Sequence, residues 1–206
     1  MSMGMSTRDA ALGGFFIRAI AGFLVAMALW VPLSPWTSHP VAAITHIVLG
    51  NTAPDWVRAI HKSPGRLEVD TRIRVAAAES AASNQIAELV VEAKPARYGY
   101  GLPLLLALLF AARSRRWLPK ALGAYALLLI PQSFSLTFDV LRQIMVAAVA
   151  GALGVAQWRL EAIALGYQIG ALLLPTLAPV ALWLWLDRRF FAAVIVDGWL
   201  RRQGRV

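Results

Sequence analysis

Seven polar side chains follow Pro131 inside an otherwise apolar stretch: Gln132, Ser133, Ser135, Thr137, Asp139, Arg142 and Gln143. Arg159, Glu161, Tyr167 and Gln168 open the next apolar run, and Tyr98 and Tyr100 open an earlier one. Asp139 and Arg142 lie three residues apart, so they can pair on one helical face. Ionisable groups near membrane depth are costly and tend to be used. They either pair internally beside lipid or line a polar cleft that faces a partner, a substrate tail or a lipid-linked substrate. Other chemistries lack their residues. Without cysteine there is no disulfide, no thiolate metal site and no cysteine nucleophile. His39, His46 and His61 are spaced by 7 and 15 residues, which does not set two ligands on one helical face, so no metal site is expected. Ser133 and Ser135 have no His or Lys deep in an apolar run to activate them. The chain contains no Gly-Xaa-Ser-Xaa-Gly elbow and no Gly-rich phosphate loop. No catalytic residue or cofactor is assigned.

The elements that must position these groups are apolar runs of bilayer length. Four stretches read as transmembrane helices, at about 14–33, 98–112, 118–137 and 161–186. With 59% apolar and 15% charged residues, the 206-residue chain exceeds the usual apolar share and falls well short of the usual charged one. With both termini inside, Arg8, Arg18, Arg113, Arg115, Arg116, Lys120, Arg188, Arg189, Arg201, Arg202 and Arg205 are cytoplasmic. Asp9, Asp187 and Asp197 accompany them, so that face carries +8 of the +9 net charge. Basic residues remain on the cytoplasmic side, which orients the chain. Placed in short loops, the charge implies contact with anionic lipid at that face. Nucleic-acid binding is not expected, because it wants a basic face on a soluble domain.

The expected architecture is an all-α integral membrane bundle of about four transmembrane helices with a small periplasmic α+β loop domain. Residues 1–36 form the cytoplasmic N-terminus and first span, 37–97 the loop domain, and 98–206 the rest of the bundle and a basic tail. Val41-Ala42-Ala43 resembles a signal cleavage site, but Pro32, Pro35 and Trp36 end the apolar run well before it, so a retained anchor is expected. In the loop, apolar residues over 41–61 recur at roughly helical spacing and break at Gly50-Asn51-Thr52-Ala53-Pro54, which predicts two short helices. Residues 66–75 alternate strictly, with Leu67, Val69, Thr71, Ile73 and Val75 on one face. They predict a strand paired with about 86–92 as a β-hairpin, connected through 76–85. Residues 144–156 are short for a fifth span, which would also move the basic tail outside. They are expected, from about 140, as an interfacial helix.

Trp30, Trp36, Tyr98, Tyr100, Trp117, Trp158, Trp183 and Trp185 fall near the ends of the four spans, as aromatic belts do. Gly166 and Gly170 form a small-xxx-small pair and predict close helix packing there. Pro175 and Pro179 predict a bend in the last span.

Tyr98-Gly99-Tyr100-Gly101-Leu102-Pro103, Phe138-Asp139, Trp158-Arg159-Leu160-Glu161-Ala162 and Leu165-Gly166-Tyr167-Gln168 resemble segments of exosortase H-associated membrane proteins. The likeness extends through Leu174-Pro175-Thr176-Leu177-Ala178-Pro179. It implies a multi-pass protein of the bacterial inner membrane that accompanies an exosortase, a Cys-dependent transpeptidase acting on proteins with a C-terminal sorting tail. It carries over no catalytic residues, and a chain without cysteine cannot be that transpeptidase. The expected role is a non-catalytic accessory that binds the sortase or its sorting tails. Gln132, Asp139, Arg142, Glu161, Tyr167, Gln168, Tyr98 and Tyr100 are the candidate binding residues. The alternative is an intramembrane enzyme using Asp139, Arg142 and Glu161 on a lipid or polyprenyl-linked substrate. A small transporter is weaker still, since no charge lies near a span centre and no inverted repeat is visible.

Overall fold

The structure is a computed structural model that describes residues 7–76, 86–150 and 154–188. The chain divides into two compact units, each with its own apolar core. Three helices among the described residues are long and apolar enough to cross a membrane: Gly13–Thr37, Trp117–Val149 and Gln157–Leu186.

The first unit takes residues 1–32, 100–128 and 177–206. It contains most of α1 (Thr7–Thr37), all of α3 (Gly101–Ala111), the first part of α4 (Trp117–Ala150) and most of α6 (Leu174–Leu186). Its core gathers Phe15, Leu105, Leu109, Ala121, Ala124, Leu128 and Trp183, with the Phe15 and Trp183 rings stacked at 5.8 Å. At 11 residues, α3 is about 17 Å long, well short of a hydrocarbon core of ~30 Å. Of the expected span at 98–112, Gly101–Ala111 is helical. A tight cap stops it: the Ser114 N–H reaches the Leu109 carbonyl and the Arg113 N–H the Phe110 carbonyl, with Arg113 at a φ of 49°. Arg18 Nε donates to the Ala111 carbonyl at 3.3 Å, satisfying another end group.

The second unit takes residues 33–99 and 129–176. It holds α2 (His39–Thr52), strands β1 (Val57–Ser63), β2 (Arg66–Ala76) and β3 (Ile86–Ala93), and a 3₁₀ turn at Pro95–Tyr98. The rest of α4, α5 (Gln157–Gln168) and a π-helical turn at Ile169–Leu173 complete it. The sheet is antiparallel in the order β1-β2-β3. Leu67, Val69, Thr71 and Ile73 are all buried, as the alternation requires. Between Asp70 and Arg74 the β2–β3 register shifts, and Thr71 fills the irregularity by donating its hydroxyl to the Leu89 carbonyl at 2.8 Å. The other face carries exposed polar contacts such as the Arg66–Glu92 ion pair at 3.0 Å and His61 Nε2 at 3.2 Å from Asp70. The expected pairing of 66–75 with 86–92 is present; the connection 77–85 lies outside the described residues.

Four local expectations differ from this fold. The second short helix expected before His61 is instead β1, and the hairpin becomes a three-stranded sheet. Val57 and Ile60 fit a helical period, but Pro64-Gly65 makes a two-residue turn with Gly65 at a φ of 78° and pairs Ser63 with Arg66. A strand whose own hydrogen bonds are supplied by β2 overrides a weak helical pattern. α1 does not stop at Pro32 or Pro35 but continues to Thr37, although each proline withholds one N–H. The Ser38 hydroxyl then donates to the Ser34 carbonyl at 2.6 Å. α4 shows no break near 140. Leu136, Val140, Ile144 and Ala148 recur every four residues, are all buried in the second core, and carry the helix unbroken to Ala150. The separate helix expected over about 140–156 is therefore absorbed into α4 as far as Ala150; residues 151–153 lie outside the described ones. Finally, the last apolar helix begins at Gln157 rather than 161.

Candidate functional site

Five of the seven polar residues after Pro131 are buried against protein rather than lining an open cleft, while Arg142 is exposed and Gln143 half-buried. Gln132, Ser133, Ser135, Thr137 and Asp139 are each 6% exposed or less. The reason lies in how α4 meets the helix after it. Gly166 packs so tightly that a Cβ there would overlap the Phe138 ring, and a Cβ on Gly170 would sit 3.0 Å from Ser135 Cα. Only glycine permits that approach, so the pair acts as the small-residue seam expected from the spacing. Leu174 donates its N–H five residues back, to Ile169. In that register the Gly170 carbonyl would pair with residue 175, and Pro175 has no N–H to give. The Ser135 hydroxyl fills the gap, lying 2.5 Å from the Gly170 carbonyl and 2.8 Å from its own helix at Pro131. Ser135→Ala leaves that buried carbonyl without its cross-helix donor. It is expected to lower unfolding free energy in detergent by about 1–3 kcal/mol, measured by denaturant titration against Thr176→Ala, whose exposed hydroxyl bonds only within its own helix.

Asp139 is 2% exposed, and its partner is Arg97, with Nη1 4.0 Å from Oδ2. The 3₁₀ turn that follows β3 delivers Arg97 and the buried Tyr98 to this point. Burial pushes the Tyr98 hydroxyl above its ordinary range, and the Asp139 carboxylate and Tyr167 push the same way. The positive charge of Arg97 opposes them. Tyr98 is thus a buried, neutral phenol beside this pair. Arg142 stands one helical turn beyond Asp139, exposed, with its guanidinium 4.4 Å above the Tyr167 ring. The result is a compact group of Arg97, Tyr98, Asp139, Arg142 and Tyr167, contributed by the turn, α4 and α5.

The remaining candidates are placed elsewhere. Glu161 is exposed on α5 and accepts from Gln157 Nε2 at 3.0 Å, so it does not join Asp139 and Arg142. Gln168 is exposed, while Gln132 is buried. Tyr100 belongs to the first unit and is half-buried. Ser133 and Thr137, one turn apart, keep hydroxyl oxygens with no hydrogen-bond partner among the described residues. Arg97 is the member of this group that sequence reasoning missed. Its signal was adjacency to Tyr98 behind Lys94-Pro95, but a loop arginine announces no partner without the fold. Among the described residues no three His, Asp or Glu side chains gather at one point.

A family model described as exosortase H-associated membrane protein matches residues 9–190 of this chain. No curated protein and no solved structure matches it.

Proposed function

We propose a function from one premise: this chain belongs to the exosortase H-associated membrane protein family. It serves as a non-catalytic inner-membrane accessory of an exosortase-type sorting system, binding the sortase or the sorting tails of its substrates. The binding end is the group around Asp139 and Arg142 at the outer ends of the membrane helices. The observation that carries this reading is that each charged candidate has its own separate partner. Asp139 pairs with Arg97, Arg142 stacks on Tyr167 and Glu161 bonds Gln157. General acid–base catalysis needs its groups within reach of one reacting atom, and this arrangement offers the enzyme alternative no such point. An internally paired polar group with exposed guanidinium edges suits docking better.

Helix length supports the outer placement. The 34 residues of α4 span about 51 Å, some 20 Å more than the hydrocarbon core. Arg113, Arg115, Arg116, Trp117 and Lys120 stand at its start, where positive charge favours the cytoplasmic side. The excess length then projects from the outer face, and Asp139 lies near the outer interface. With the loop domain outside, the chain re-crosses through the Pro95–Tyr98 turn and α3, so reporter fusions at Arg116 and Val206 are expected to read as cytoplasmic and one at Ser83 as periplasmic. A periplasmic C-terminus overturns this orientation.

The decisive experiment is purification of the tagged chain from its native membrane in mild detergent. An exosortase recovered in stoichiometric amount, and lost with Arg142→Ala or Asp139→Asn while the chain stays folded, supports the accessory role. A chain recovered without exosortase but with a bound polyprenyl-linked lipid supports the enzyme alternative instead.

A further inference from the structure

We propose that the tip of the β1–β2 hairpin, Ser63-Pro64-Gly65-Arg66, lies on the bilayer surface where α1 leaves it, with the Lys62 ammonium held by the phosphate of anionic phospholipid headgroups. The tip is fixed to α1 by contact. Gly65 packs on Pro35, so that a Cβ at Gly65 would lie 3.4 Å from the Pro35 Cβ. Pro35 stands 22 residues beyond Gly13, where the apolar helix length begins, roughly 33 Å along the helix and close to one hydrocarbon thickness. Trp36, the next residue, is 72% exposed, and an indole at the end of a span sits at headgroup level. A turn that touches Pro35 is therefore at the membrane–water boundary. Because α1 is a helix that lipid surrounds, the bilayer itself is the surface this turn meets.

The register of the sheet decides which charge the tip brings there. Lys62 pairs with Leu67 and Ile60 with Val69, and paired residues share a face. Leu67 and Val69 are wholly buried in the core that α2 and α4 share with the sheet. Lys62 thus stands on the helix-covered face, at the end where that cover runs out and the side chain is exposed. Arg66 belongs to the opposite face and has its own carboxylates, Glu92 at 3.0 Å and Glu68 at 3.6 Å. Among the described residues Lys62 has no acidic partner. Lysine lays its stem along apolar surface and keeps its ammonium in polar surroundings. At this boundary the available counter-charge is headgroup phosphate.

The proposal rests on α1 crossing the bilayer and involves no sortase, so its failure leaves the co-purification result intact. The chain has no cysteine, so one introduced cysteine carries one nitroxide. Pro64→Cys and Arg72→Cys are spin-labelled in the full chain and reconstituted in nanodiscs of phosphatidylcholine with phosphatidylglycerol. Collision rates with oxygen and with a water-soluble nickel chelate are then compared. Oxygen concentrates in the bilayer and the chelate in water, so lipid contact raises the first rate and lowers the second, whereas cover by protein lowers both. Arg72, exposed on the opposite face of β2, should read as water. The Pro64 label should read as lipid interface, with an oxygen-to-chelate ratio several-fold higher. Lys62→Gln should remove most of that difference, since one basic residue at an anionic surface is worth about a factor of five. Nanodiscs of phosphatidylcholine alone should have the same effect on the parent chain. Ser63→Cys repeats the measurement if Pro64→Cys disturbs the turn. A tip label as open to the chelate as the Arg72 label, or low in both collision rates, overturns the proposal. A ratio that neither Lys62→Gln nor the loss of phosphatidylglycerol changes overturns the contact between Lys62 and phosphate.

Discussion

Gly170→Ala and Gly166→Val are expected to be the most damaging single substitutions in the membrane helices. At Gly170 the new methyl would lie 3.0 Å from Ser135 Cα, and backbone cannot rotate aside, so α4 and the π-helical turn must separate. That separation also stretches the Ser135 bond to the Gly170 carbonyl. Overpacking of this kind costs about 1–3 kcal/mol, and the lost buried hydrogen bond adds to it. At Gly166 the obstacle is the Phe138 ring, a side chain that itself rests against Phe134 with ring centroids 4.5 Å apart. A side chain can be removed where a backbone cannot, which separates the two sites experimentally. Gly166→Ala should lose stability alone and regain part of it with Phe138→Ala, whereas Gly170→Ala should find no such rescue. Gly123→Ala is the control, since nothing lies within 4 Å of its Cβ position and alanine favours a helix by about 1 kcal/mol. Equal unfolding midpoints for Gly123→Ala and Gly170→Ala in detergent would remove the seam as a feature of this fold.

Arg97→Ala should destabilise the chain more than Arg142→Ala, reversing the order that sequence spacing suggests. Truncating Arg97 strands a carboxylate that is 2% exposed, and an uncompensated buried charge is expensive. Because Arg97 is itself largely exposed and 4.0 Å away, the full penalty is discounted to about 1–3 kcal/mol. Arg142→Ala removes a cation–π contact, about 0.5–1 kcal/mol at an exposed site. Arg72→Ala, exposed on β2, should fall within about 0.5 kcal/mol of the parent. Asp139→Asn keeps the shape and removes the charge, so Arg97→Ala combined with Asp139→Asn should recover much of the loss. A double variant as unstable as the sum of its parts would show that Asp139 does not depend on Arg97.

The strand at β2 was legible because strict alternation needs only the chain itself: Leu67, Val69, Thr71 and Ile73 cannot share a helical face. The Gly166–Gly170 seam was legible for the same reason, since two missing side chains four residues apart mark a helix face wherever it packs. Apolar length likewise announced three of the membrane helices, and the charge pattern supplied an orientation to test. β1 was hidden, although Pro64-Gly65 pointed to a turn, because a short segment containing Val57 and Ile60 fits two periods and only pairing with β2 chooses between them. The continuation of α4 past 140 was hidden because its apolar residues read equally well against lipid or against protein. The sheet and α2 supply the protein surface that buries them.

Charge pairing divides in the same way. The sequence alone implied that Asp139, inside an apolar run, needs a counter-charge, because an ionised carboxylate in apolar surroundings is costly. It put Arg142 within reach at one helical turn. Tertiary structure decided for Arg97, 42 positions back in the chain. The turn after β3 brings Arg97 to Asp139, while the Tyr167 ring holds Arg142 outward. Proximity along a helix makes a pair available, but the neighbouring surfaces decide which pair forms.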